Sequence, residues 1–166
     1  MTQAKTTANR SHFVASDARA TATTVEPMTR MLGFAGLLPQ MLAAALCASG
    51  DPYGMGHMLA FGYSALVLSF VGGIWWGFAM RRESGQAELA ALSVVPSLVG
   101  LLLLLAMAAF LPTGWALVAV GSAIIGSLLV DRWLEASGDA PPGWLRFRQP
   151  LSIALGVLTI VAGIFV

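Results

Sequence analysis

The sequence predicts an all-α polytopic membrane protein, a bundle of five transmembrane helices with the N-terminus in and the C-terminus out. Three observations predict it. The 166 residues are 57% hydrophobic and only 10% charged, too little charge to cover a water-facing surface. The apolar residues fall in five long blocks parted by short polar or turn-rich segments. With those blocks taken as spans, all nine Lys and Arg lie on one side of the bilayer.

Residues 1–30 are Thr, Ala, Ser and Asn with scattered charge and no apolar period, which reads as a polar, flexible N-terminal tail. The tail lacks the apolar core of a secretory signal. Lys5 and Arg10 precede any acid among many Thr and Ser, as in a mitochondrial presequence, but Asp17 and Glu26 weigh against that. A cytoplasmic tail is the reading, and a cleaved presequence the alternative.

Residues 31–166 form the membrane domain. Pro27 suits a first helical turn, and span 1 runs over 31–49. Pro39 leaves the carbonyl of Ala35 without its usual donor and is expected to kink the helix. Gln40 follows at mid-depth. Ser49-Gly50-Asp51-Pro52-Tyr53-Gly54 is a turn. Span 2 covers 57–80, about 36 Å of helix. Its residues Ala65, Ser69, Gly73 and Gly77 recur every fourth position and make a small-residue face ending in GxxxG. Span 3 covers 89–111, with Pro96 freeing the carbonyl of Leu92 beside Ser93 and Ser97. Pro112-Thr113-Gly114 is a tight connector to span 4, 115–133. Trp144–Arg148 reads as an interfacial segment. Span 5 is placed at 150–166, with Pro150 opening it. Its Leu151–Val166 stretch gives about 24 Å, short of a core of about 30 Å, so the helix must start earlier or the bilayer must thin.

Five spans put Lys5, Arg10, Arg19, Arg30, Arg81, Arg82, Arg132, Arg146 and Arg148 on one side and no Lys or Arg on the other. The positive-inside rule makes that side the cytoplasm, or the matrix if mitochondrial. Trp75, Trp76 and Trp133 then sit near the inner interface and Trp115 near the outer one.

Three constellations stand out. The Ala65/Ser69/Gly73/Gly77 face packs against span 1 or 3 on the first reading and against another subunit on the second. Gly72-Gly73 as a break in the helix ranks below both. Gln40, Ser69, Ser97 and Ser122 match in depth and are expected to converge on a mid-membrane polar patch loosened by Pro39 and Pro96. The alternative is separate Ser-to-carbonyl bonds within each helix, although the long amide of Gln40 needs partners beyond its own turn. Asp131 is placed to pair with an arginine before span 5, Arg148 among them, against the alternative of a solvated interfacial charge.

Reactive signatures are missing. The two histidines, His12 and His57, do not share a span, so no metal or haem pair is formed. No serine has a His or Lys beside it, and no paired carboxylates sit in a span. The sequence therefore predicts a non-enzyme with no catalytic residue, no metal site and no cofactor. A net charge of +1 gives no sign of a nucleic-acid partner.

Several stretches resemble one family. Leu32-Gly33-Phe34-Ala35-Gly36-Leu37-Leu38-Pro39 is similar to its GxAGLxP opening. Tyr63 to Gly77, YSALVLSFVGGIWWG, resembles its second and most specific motif. Ser93-Val94-Val95-Pro96-Ser97-Leu98 is similar to its third, and Asp131 with Trp144-Leu145-Arg146 through Leu151 to its closing pattern. The chain thus resembles the DUF3429 family of bacterial and mitochondrial inner-membrane proteins, which includes the transmembrane protein 69 type. The resemblance covers about residues 30–160. Gly100 departs from it, standing where a tryptophan is expected. The resemblance implies architecture and an inner membrane and brings no activity with it.

Function is then expected along one of two lines. The leading one is a non-catalytic accessory, structural or assembly subunit of a larger inner-membrane complex, with membrane lipid and other subunits or a second copy as partners. The alternative is a carrier or channel for a small solute or a lipophile such as a quinone. It uses the mid-membrane patch and requires a cavity among spans 1, 2 and 3.

Overall fold

The computed structural model describes residues 27–165. They form six helices: α1 (Pro27–Ala35), α2 (Leu38–Ala48), α3 (Met55–Ala79), α4 (Gln86–Ala109), α5 (Thr113–Ala136) and α6 (Trp144–Ile164). The first two stack end to end, so five segments are long and apolar enough to cross a membrane. The tail expected over 1–30 lies outside the described residues up to 26, and Pro27–Arg30 are the first turn of α1.

Burial is inverted relative to a water-soluble protein. Gln40, Asp131 and Thr159 are fully buried, while Leu66 is 70% and Leu129 74% exposed. Polar groups turned inward beneath an apolar exterior suit lipid as solvent. The chain is an integral membrane protein.

Pro39 acts differently from the expected kink. It sits at the start of α2, and the chain turns at Gly36-Leu37 between two separate helices. Proline tolerates a first turn because its missing N–H has no intrahelical partner there. Pro96, by contrast, remains inside a continuous α4.

The last span starts earlier than Pro150. Helix α6 begins at Trp144, and its 21 residues reach about 32 Å. Two features allow this. Gly143 adopts φ +83°, open to glycine at little cost. Glu135 then accepts the N–H groups of Gly143 and Leu145, both at 2.9 Å. A carboxylate on free N–H groups at a helix start is stabilising. The segment Trp144–Arg148 is therefore the opening of a spanning helix.

Helices α5 and α6 share the most extensive interface, and glycine makes it. A Cβ on Gly121 would lie 2.7 Å from the Gly156 carbonyl oxygen, and one on Gly163 would lie 2.7 Å from that of Gly114. These glycines are seven apart on each helix, so the antiparallel backbones nearly touch at two levels. Helices α3 and α4 approach in the same manner, with Gly72 against the Ser93 carbonyl and Pro96, and Gly100 against Ala65.

The α3–α4 and α5–α6 loops meet at one end of the bundle. Arg82 Nε donates to Asp139 Oδ1 at 2.7 Å, and its Nη2 donates to Oδ2. The same guanidinium stacks on Trp133, 5.1 Å from the ring centroid. This two-point contact holds the Asp139 carboxyl down at about 2, below its ordinary 3.8.

Candidate functional site

Asp131 is the hub of the cationic end. Its position in α5 points it inward, where it is fully buried. Oδ1 accepts the indole N–H of Trp75 at 2.8 Å and of Trp144 at 3.2 Å. Oδ2 lies 3.2 Å from Arg148 Nε, out of line for a directed hydrogen bond. One carboxylate thus ties spans 2, 4 and 5 together. Trp75, expected in an interfacial belt, is 3% exposed; the carboxylate draws its N–H inward. Trp76, Trp115 and Trp133 stay on the surface.

Next to this hub lies a cavity of about 510 Å³ among α1, the Gly36-Leu37 turn, α3 and α6, inside the ordinary range of about 300–1,000 Å³ for small-molecule sites. Its walls include Leu37, Val67, Ile74, Phe147, Leu151 and Leu155. Leu32 and Phe70, at 63% and 69% exposure, mark a mouth on the lipid-facing surface. The expected site was among spans 1, 2 and 3; this one lies among spans 1, 2 and 5. Span 3 is excluded because Gly72 and Gly100 close α3 onto α4.

The cavity is apolar except at one end. Tyr63 donates its hydroxyl to the Gly36 carbonyl freed at the α1–α2 break. Apart from Tyr63, Arg148 and Ser152 make the polar end, on α6 toward Trp144 and Phe78. They are buried to 7% and 1% exposure, and Arg148 Nη2 and Ser152 Oγ have no hydrogen-bond partner among the described residues. Residues 148 and 152 share a face of α6 because they are four apart.

The expected polar patch divides into separate groups. Gln40 is fully buried and donates to Thr159 Oγ1 at 2.9 Å. Ser64 lies 2.8 Å from the same hydroxyl, which donates to the Leu155 carbonyl. Ser69 and Ser97 pair across α3 and α4 at 2.8 Å, apart from Gln40. Ser122 is exposed on α5 and belongs to neither. Gln40 found Thr159, whose hydroxyl Ser64 also meets, and neither was singled out in the sequence. Thr159 sits on the face of α6 that carries Arg148 and Ser152, since 11 residues are about three turns; that spacing was the available signal.

The expected small-residue face also divides. Ala65 and Ser69 face α4, but Gly73 and Gly77 are exposed, with nothing within 4 Å of a Cβ at either. The close contact is made by Gly72, one position away. Among the described residues no group of three or more His, Cys, Asp or Glu side chains comes together to hold a metal ion.

The family described as "Protein of unknown function (DUF3429)" matches residues 25–164. The chain belongs to the DUF3429 family. No curated protein and no solved structure matches it. In this DUF3429 chain the family segment takes in every described helix, and with them the Asp131 hub and the cavity.

Proposed function

We propose that this DUF3429 protein is a carrier or binding protein for a membrane lipophile, held in the cavity among spans 1, 2 and 5. One observation carries the reading: an apolar, lipid-facing cavity is lined at one end by Arg148 and Ser152, whose Nη2 and Oγ lie buried behind its wall with nothing in the described chain to satisfy them. Unpaired donors in a low-dielectric interior are costly, and an acceptor on a bound molecule removes that cost. The apolar walls supply affinity for the remainder of the molecule. The function proposed is binding, with no catalytic step. The test is organic extraction of the protein purified in mild detergent, followed by mass spectrometry. One lipophile should be enriched over the bulk membrane and lost when Val67→Trp fills the cavity. Extracts identical to bulk lipid for both proteins would defeat the reading.

A second reading rests on the open Gly73/Gly77 face. Space beside both glycines suits a foreign helix and supports an accessory or assembly subunit. Sizing in mild detergent tests it: a larger complex that Gly73→Leu dissociates supports it, and a lone monomer counts against it. In either case the cationic end belongs on the inner side by the positive-inside rule. The bacterial inner membrane is the proposed location and the mitochondrial inner membrane the alternative, in keeping with a kinship to the transmembrane protein 69 type.

A further inference from the structure

The polar end of the cavity has a charge balance that selects among lipophiles. Among the described residues, Arg148 is the only formally charged one lining it, and its charge is already matched by Asp131 at 3.2 Å. Asp131 is itself satisfied on Oδ1 by two indole N–H groups. The pair is therefore neutral as a unit, while Arg148 Nη2 and Ser152 Oγ still have hydrogen-bonding capacity to spare.

An incoming anion would meet one guanidinium and one carboxylate already in contact. It would add an uncompensated negative charge near Asp131 in a medium that screens poorly. No second cation among the described residues lines the cavity to balance it. A neutral carbonyl oxygen avoids this cost. It takes hydrogen bonds from the Arg148 guanidinium and the Ser152 hydroxyl as these buried side chains turn toward it, and brings no charge. The surrounding side chains suit a flat ring carrying such carbonyls. Phe147, Trp144 and Phe78 line the same end, with Phe78 and Trp144 fixed edge to face at 5.6 Å, and aromatic faces favour stacked or edge contacts with a planar ring.

We propose that the cavity takes a neutral ring bearing carbonyl groups on an apolar tail, the chemistry of a membrane quinone, in preference to an anionic lipid. This rests on the reading of the cavity as a lipophile site and adds the identity of the head. The ring carbonyl lies at Arg148 and Ser152, and the tail runs along Val67, Leu151 and Leu155 toward the membrane centre.

Binding to the full chain in nanodiscs, read by native mass spectrometry in competition, tests the preference. The probes are a decyl-substituted benzoquinone, decanoate and decyl phosphate. The benzoquinone should bind saturably and at least tenfold more tightly than either acid. Ser152→Ala, which removes one donor without disturbing the ion pair, should weaken the quinone about tenfold. Ser122→Ala on the lipid-facing surface should leave it unchanged. Arg148→Ala strands Asp131 and is liable to unfold the bundle, so Ser152→Ala carries the comparison. Acids binding as tightly as the quinone, or a quinone indifferent to Ser152→Ala, would overturn the head-group assignment and leave the lipophile site standing. No saturable binding of any probe, with Val67→Trp indistinguishable from the natural chain, would overturn both.

Discussion

Arg148 Nε lies 3.2 Å from Asp131 Oδ2, with the Asp131 side chain fully buried and the Arg148 side chain 9% exposed. Losing one member of such a pair leaves the other charged and uncompensated. Arg148→Met should therefore destabilise the bundle by roughly 3–5 kcal/mol. The double variant Asp131→Leu/Arg148→Met should cost less than Arg148→Met alone, because no charge is stranded. Unfolding in a graded series of denaturing detergent, followed by tryptophan fluorescence, measures both. A double variant worse than the single would mean that the two side chains act independently.

Gly121 and Gly156 on one hand, and Gly73 and Gly77 on the other, predict opposite outcomes for the same change. Gly121→Leu must force the Gly156 backbone away and should cost about 2–3 kcal/mol. Gly73→Leu meets open space and should stay within about 0.5 kcal/mol for the isolated chain. The same unfolding assay compares them, and equal losses would contradict the packing described.

The Arg82–Asp139 tie predicts a pH dependence. The Asp139 carboxyl is held at about 2 in the fold against 3.8 when free, first by the Arg82 hydrogen bonds. A depressed carboxylate stabilises the fold above its unfolded value and loses that contribution as pH falls. The tie should thus be complete above about pH 4 and vanish as pH approaches 2. Trp133, stacked under Arg82, reports it: its fluorescence should change over that window, and Asp139→Asn should abolish the change.

The loops joined by that tie should label from one side of the membrane. In a Cys47→Ser background, Ser84→Cys and Ala136→Cys should react with an impermeant thiol reagent only after the vesicles are opened. Ser49→Cys and Thr113→Cys, at the opposite end, should react in intact cells. Finding Ser84→Cys and Ala136→Cys on different sides would break the five-span topology.

How much of this was legible in the sequence follows from what lipid does to a pattern. Spans are readable because length and apolarity suffice. Facing is not, because both the lipid side and the packed side of a span are apolar. Gly72 and Gly73 are equally small, and only α4 lying over Gly72 separates them. The seven-residue spacings of Gly114 with Gly121 and of Gly156 with Gly163 went unread, because glycine spacing alone does not say which helices cross. Gln40 was readable because a buried amide must find partners, but several hydroxyls at its depth were equivalent until the helices met. Asp131 and Arg148 were readable as charges at span ends. Trp75 was misplaced because an indole beside a membrane interface is ordinarily a surface anchor, and here a buried carboxylate on another helix takes its N–H.

A benzophenone side chain in place of Leu151, inside the cavity, tests the lipophile site most directly when compared with the same group in place of the lipid-facing Leu129. After irradiation in native membranes, the adduct at 151 should be dominated by one lipophile enriched over the bulk, and that at 129 by the ordinary phospholipid mixture. The same bulk-lipid pattern at both positions, or an adduct at 151 to the chain's own first 26 residues, would contradict the account.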